Sequence, residues 1–564
     1  MRDRREAAFA ATSAVLPLLG AVIFLRLWNA DLGVPFEYFG DVNLQHLLVR
    51  SVLENGWFYE NARLGAPDGQ ELYDYAVLSG DTLNVVLIRL LGLFGMGSAA
   101  ALNVFYLLTY PAAGLASYLV LRRLRAERGP SLVCAVLYAL APYHFLRSET
   151  HVWLSAYYAV PVGAYLALAV LGGDELLGRR RRLVVTGLLA ALPALASGSF
   201  YYSAFTVLLV VAAAVLRFVG TRERRALLAG GFVVAVIVVV SLVQLAPTIA
   251  YQAKHGRNEL VGKRSSHESE VFSLKLTQLV FPLDEHRIGP IARAKQRYSE
   301  HFFPGDARAA TLGVVGAAGF LWLIAVVFAA LAGRRPRGRH VHLAALALTA
   351  FLFASVGGLN TLVAAVWAQT RAWNRLSIFI AFFALAAVAL GLGALRRRLS
   401  GPAFVALLAA VLAVGLFDQT SNAFIPSYGA VEGQWELDQA FVRSLEQRLP
   451  ERAMVVQLPY ESFPEPPAAR QAIYEPAKPY LHSRDLRWSY GAMRGRPADW
   501  LGPLAAAPLT EIVKTARARG FAAVLVDRLG YADDGAAAES ELRSLFGVDP
   551  LRSANGRYLF WSLD

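Results

Sequence analysis

Three short stretches of this chain carry groups able to perform acid–base or phosphate chemistry. In Phe36-Glu37-Tyr38-Phe39-Gly40-Asp41, the carboxylate of Asp41 stands among aromatic residues and just ahead of an apolar-periodic run, Val42 to Glu54. Such a carboxylate can take the proton of an acceptor hydroxyl, and the same position suits a helix N-cap. In Pro142-Tyr143-His144-Phe145-Leu146-Arg147-Ser148-Glu149-Thr150-His151, Glu149 and His151 are spaced to share a divalent cation, with Arg147 beside them for phosphate. The plain alternative is an interfacial turn whose basic groups snorkel to headgroups. In Arg371-Ala372-Trp373-Asn374-Arg375, two planar guanidinium groups could grip a phosphate, or one could pair with a carboxylate.

Secondary candidates are weaker in pattern. Asp74 lies between Tyr73 and Tyr75 and could contact an acceptor, whereas Asp81, before Thr82 to Phe94, reads as a cap. Near the C-terminus, Arg487, Trp488 and Tyr490 sit in an aromatic and basic loop suited to stacking on a sugar, or to packing the tail against its neighbours.

The elements that must position these groups are membrane helices. Arginine clusters at Arg2 to Arg5, Arg122 to Arg128, Arg179 to Arg182, Arg222 to Arg225, Arg334 to Arg339 and Arg396 to Arg398 punctuate apolar runs of spanning length. Basic loops stay in the cytoplasm, so each cluster assigns a side. The spans predicted are 7–28, 99–121, 131–146, 152–171, 183–198, 200–218, 227–249, 311–332, 341–357, 377–395 and 402–418. Eleven crossings from a cytoplasmic N-terminus place the C-terminus outside. Arg371 and Arg375 then violate the positive-inside pattern, which is the reason for singling them out.

This gives an α-helical polytopic membrane protein with a small C-terminal α/β extracytoplasmic domain. Residues 1–418 form the membrane part, with external loops 29–98 and 250–310, and residues 419–564 form the tail. Within the tail, Gln434 to Gln447 and Leu504 to Arg519 read as helices, while Met454 to Leu458, Ala522 to Asp527 and Tyr558 to Leu563 read as strands.

Composition agrees, with 56% hydrophobic and 17% charged residues and a mean hydropathy of +0.42. The net charge of +13 resides largely in juxtamembrane loops facing lipid headgroups, so it does not argue for nucleic acid. Cys134 is alone and inside a span. Residues 7–28 are long enough to cross and no small-residue cleavage site follows, so they read as an uncleaved first helix. Phosphate-loop, zinc-hydrolase and serine-elbow motifs are absent, which disfavours an ATP-driven pump or a soluble-type hydrolase.

An early external aspartate, two flat helices in the first loop, an acid and histidine in the second, and a long loop after the seventh span resemble the GT-C superfamily of membrane glycosyltransferases. Oligosaccharyltransferases, protein mannosyltransferases and aminoarabinose transferases belong there. The resemblance implies transfer of a sugar, with inversion, from a polyprenyl-phosphate or polyprenyl-pyrophosphate donor to a glycan, lipid or protein acceptor on the outer face of a bacterial inner membrane. It implies that Asp41 is the first-loop carboxylate that acts as catalytic base or acceptor binder, and that Glu149 with His151 holds a metal such as Mg or Mn; Arg375, Arg371 and Arg147 are the expected donor-phosphate contacts. Metal use stays open, since Glu149-x-His151 stands where metal-using members have paired aspartates. Asp74, Arg487, Trp488 and Tyr490 are the expected acceptor contacts. Two other classes stay open: a polyprenyl-linked sugar flippase, which needs ionisable groups and broken helices in mid-span, and a nonenzymatic assembly subunit of a polysaccharide system.

Overall fold

The computed structural model describes residues 4–75, 77–262, 264–301, 307–334, 338–464 and 470–563. Arg2, Arg335 and Arg337 of the basic clusters lie outside the described residues.

Eleven helices occupy the expected crossings. They are α1 (Arg4–Phe24), α4 (Ser98–Arg123), α5 (Arg128–Ala139) continued by α6 (Pro142–Arg147), α7 (Val160–Gly172), α8 (Arg180–Leu195), α9 (Tyr201–Thr221), α10 (Arg224–His255), α11 (Gly313–Leu331), α12 (Arg339–Ala354), α13 (Ser377–Leu395) and α14 (Gly401–Gln419). Among the described residues, nine helical segments are long and apolar enough to cross a membrane, and this is a multi-pass membrane protein. The exceptions are α8 and α12, each 16 residues, or about 24 Å at 1.5 Å per residue. Both are flanked by longer partners, α8 against α10 and α12 against α13.

Between α1 and α4 the first loop folds into α2 (Asp41–Asn55) and α3 (Thr82–Leu93). Helix α2 is buried along its length, from Val42 through Val52, beneath the tail rather than lying on the lipid surface. Gly40 precedes it at φ 68° and ψ −134°, a conformation open only to glycine at low cost, and holds the N-cap position. Asp41 is thus the first helical residue, and the expected capping role passes to Gly40.

The tail begins with α15 (Tyr428–Glu446) and builds a five-stranded sheet from β1 (Met454–Leu458), β2 (Arg487–Trp488), β3 (Phe521–Asp527), β4 (Leu551–Arg552) and β5 (Tyr558–Ser562). Its order is β2-β1-β3-β5-β4, with β2, β1 and β3 parallel and β5 antiparallel to both neighbours. Alternation sends Val456, Val524, Val526 and Trp561 to one face, covered by α16 (Leu509–Ala518) and α17 (Ala536–Phe546). The opposite residues, Val455, Ala523, Leu525 and Phe560, pack with α15 and with Leu47, Leu48, Phe58 and Leu64 of the first loop in one continuous core.

The first loop also closes the sheet edge. Trp488 receives the Ala66 N–H on its carbonyl at 2.9 Å and donates its own N–H to Arg63 O at 2.8 Å. Gly65 N–H adds a bond to Tyr490 O at 2.8 Å. An edge that would otherwise expose unpaired backbone is capped by the loop that carries Asp41.

Candidate active site

Asp41 and His151 meet where the first loop touches the turn after α6. His151 Nε2 lies 3.6 Å from Asp41 Oδ2, and each side chain keeps about a third of its surface open (32% and 31%). At that separation the two side chains are neighbours without a direct hydrogen bond between them. Burial, and then the guanidinium groups of Arg147 and Arg375, hold the His151 imidazole well below its usual basicity. The imidazole is neutral near pH 7.

Both arginines rest on aromatic rings. Arg147 ends α6, is 5% exposed, and stands 5.3 Å over the Tyr143 ring. Arg375 lies in the 3-10 turn Trp373–Leu376 that opens α13 and stands 3.9 Å over the Tyr201 ring. Neither guanidinium has a carboxylate partner among the described residues, and each has a buried Nε without an acceptor. Arg147 is buried and Arg375 half-buried, and cations so placed with no carboxylate partner among the described residues are costly unless an anion joins them. The arrangement is therefore suited to an anionic ligand beside Asp41.

Glu149 turns the other way. It is fully buried and accepts the Phe36 N–H at 2.9 Å, with burial and then the nearby Glu37 raising its carboxyl well above the usual range. It braces the chain leading to Asp41. Among the described residues no three His, Cys, Asp or Glu groups converge as metal ligands. With Glu149 committed to backbone and two guanidinium groups beside His151, the expected Mg or Mn pair does not fit a dication.

The remaining expectations are corrected by burial. Arg371 pairs with Glu268 at 2.7 Å and covers Phe272 at 4.8 Å, so its charge is already answered. Asp74 is held by Arg496 at 2.6 Å, with its side chain 2% exposed, and receives Asn258 Nδ2 at 3.3 Å. Trp488 and Tyr490 are 0% and 6% exposed, within the core shared by tail and first loop. Arg487 donates to Ala62 O and Pro67 O. Asp74, Arg487, Trp488 and Tyr490 join the tail to the membrane part and offer no open acceptor surface.

The structure adds Tyr143, Tyr201 and Tyr202, which the sequence pattern did not single out. Tyr202 hydrogen-bonds Tyr143 hydroxyl to hydroxyl at 3.0 Å, tying the start of α9 to the platform under Arg147. A separate cavity of about 460 Å³ lies between Trp57, Phe58, Tyr59, Val240, Gln244 and Pro247, and touches none of the site residues.

No family model and no curated protein sequence matches the chain. Solved structures do. ArnT from Cupriavidus metallidurans bound to undecaprenyl phosphate aligns over 100% of this chain and 99% of its own, with TM-score 0.56 and 13% identity. Its apo state aligns over 97% of each chain, with TM-score 0.55 and 14% identity. Arabinofuranosyltransferase AftD from Mycobacteria aligns over 94% of this chain with TM-score 0.51 and 17% identity, and this chain spans about a third (35%) of its length. At such identities the likeness is one of fold alone, and it runs over nearly the whole length of this chain.

Proposed function

We propose that the protein is a GT-C type glycosyltransferase that takes a sugar from a polyprenyl-phosphate or polyprenyl-pyrophosphate donor on the external face of a bacterial inner membrane. The observation that carries this reading is the pair of guanidinium groups, Arg147 and Arg375, that have no carboxylate partner among the described residues and stand beside His151, itself next to Asp41. The N-terminus is then cytoplasmic and the tail external, as the arginine clusters require.

In this reading the acceptor hydroxyl attacks the anomeric carbon from the side opposite the phosphate. The carbon–oxygen bond to phosphate breaks, its electron pair stays on the phosphate oxygen, and Arg147 and Arg375 neutralise the developing charge. The hydroxyl proton passes to the Asp41 carboxylate. Neutral His151 lends Asp41 no cationic charge. The arginines hold the leaving group in line with the acceptor, and no nucleotide is required. The acceptor is a glycan, lipid or protein held outside the buried tail residues.

The test is release of free polyprenyl phosphate from polyprenyl-linked sugars of a bacterial membrane extract. Wild-type protein releases it, whereas Asp41→Asn, purified folded, does not. Equal release by both proteins removes Asp41 from the chemistry.

A further inference from the structure

Asp81 has no part in the transfer chemistry, yet it is the most heavily hydrogen-bonded carboxylate near the site. It stands at the N-cap position of α3 and makes no side-chain bond to that helix's backbone. Its side chain is fully buried and reaches the turn between α8 and α9. There Oδ1 accepts the N–H groups of Ser197 and Gly198, both at 3.0 Å, and Oδ2 accepts that of Ser199 at 2.7 Å. Asn84 Nδ2 adds a fourth bond at 3.0 Å, and Tyr158 in turn donates to Asn84 Oδ1 at 2.7 Å.

The turn it clasps is strained. Gly198, Ser199 and Phe200 succeed one another at φ 55°, 57° and 71°, and two of the three have side chains. Successive amides in such a turn point inward and form a concave nest for an anion. Asp81 fills that nest from another loop, and its two oxygens answer the three amides.

Immediately beyond the turn lies the platform of the phosphate site. Tyr201 N–H bonds Gly198 O at 3.3 Å and Tyr202 N–H bonds Ser197 O at 2.8 Å, so the clasped residues set where α9 begins. Tyr201 carries Arg375, and Tyr202 holds Tyr143, which carries Arg147. Resting on the reading of Arg147 and Arg375 as the phosphate-binding pair, we infer that Asp81 is the positioning residue for both: its carboxylate locks the 197–200 turn and so fixes the two aromatic rings on which the guanidinium groups stand.

Among the described residues, the groups that face the Asp81 carboxylate are neutral donors from α3 and the turn, with no cation among them. Its lock is therefore the nest alone. Replacement by Asn keeps size and one acceptor oxygen but removes the charge. The experiment measures the affinity of undecaprenyl phosphate for detergent-purified wild type, Asp81→Asn, Arg375→Ala and the double variant, with thermal midpoints recorded at pH 8. Asp81→Asn is expected to weaken binding about tenfold, the scale of one charge-assisted hydrogen bond, without a lower midpoint. In the Arg375→Ala background the same change is expected to cost clearly less than in wild type, because the route through Tyr201 is gone and only the one through Tyr202, Tyr143 and Arg147 remains. Unchanged affinity in Asp81→Asn, or full additivity in the double variant, overturns the inference. Should Asp81→Asn not fold, Ser197→Ala, which removes the Oγ acceptor of Phe200 N–H, carries the test: a loss that shrinks in the Arg375→Ala background upholds the inference, and no loss or a fully additive one overturns it. If Arg375→Ala alone leaves affinity unchanged, the phosphate-site reading fails instead.

Discussion

Arg371 and Arg375 stand four residues apart ahead of the same helix, yet the structure predicts opposite outcomes for their removal. Arg375 has no carboxylate partner among the described residues, lies 3.9 Å over Tyr201, and keeps a buried Nε without an acceptor. A charge-assisted bond to phosphate contributes about 1.5–3 kcal/mol, and tenfold in affinity corresponds to about 1.4 kcal/mol. Arg375→Ala should therefore weaken undecaprenyl phosphate binding roughly 10- to 100-fold. Arg375→Lys keeps the charge but loses the planar fork and much of the stacking, and should fall between, at about 5- to 10-fold. Arg371 is partly exposed and paired with Glu268, a contact of about 1 kcal/mol or less. Arg371→Ala should leave affinity within about twofold and lower stability slightly. Equilibrium binding with the detergent-purified variants, each checked for its thermal midpoint, reads both. Equal losses at the two positions, or none at Arg375, would refute the assignment of the phosphate pair by its missing counter-ions.

Asp41→Asn should lower turnover by about 10²- to 10⁴-fold with little change in phosphate affinity, measured as polyprenyl phosphate released per enzyme. Asp74→Asn should leave affinity intact while lowering the thermal midpoint, since it abandons Arg496 in a nearly buried pair, a cost on the order of 3 kcal/mol. Burial raises the Asp81 carboxyl from 3.8 to about 7, so its contribution favours the folded state below its unfolded value and is lost as pH climbs from about 4 to 7. The wild-type midpoint should fall across that interval, and Asp81→Asn should flatten the slope. A chain ending near residue 425 should fail to fold, because the first loop and the sheet share one core.

That shared core marks the boundary between what is local in the chain and what is not. Arginine clusters and apolar runs are local signals, and a helix stands at each of the eleven predicted spans, nine of them among segments long and apolar enough to cross; β1 at Met454–Leu458 was legible residue for residue. Helix α17 carries no comparable signal, since Ala536–Phe546 is short and mixed in composition. Partners far apart in sequence were invisible. Asp74 finds Arg496 across 422 residues and Arg371 finds Glu268 across 103, so both looked free in the chain and are engaged in the fold. Trp488 and Tyr490, set among charges, resemble a sugar platform, but whether an aromatic ring is open is decided by what packs on it. Asp81 precedes an apolar helix and reads as its cap, and nothing local indicates that its carboxylate crosses to Ser197–Ser199. A run of small residues, Ser197-Gly198-Ser199 between two apolar spans, was the available hint of a tight turn.

The most direct test of the account is a cryo-EM map of the wild-type protein with undecaprenyl phosphate added. The account predicts phosphate density between the Arg147 and Arg375 guanidinium groups, facing Asp41. Phosphate density elsewhere, with those two arginines unoccupied, would contradict it.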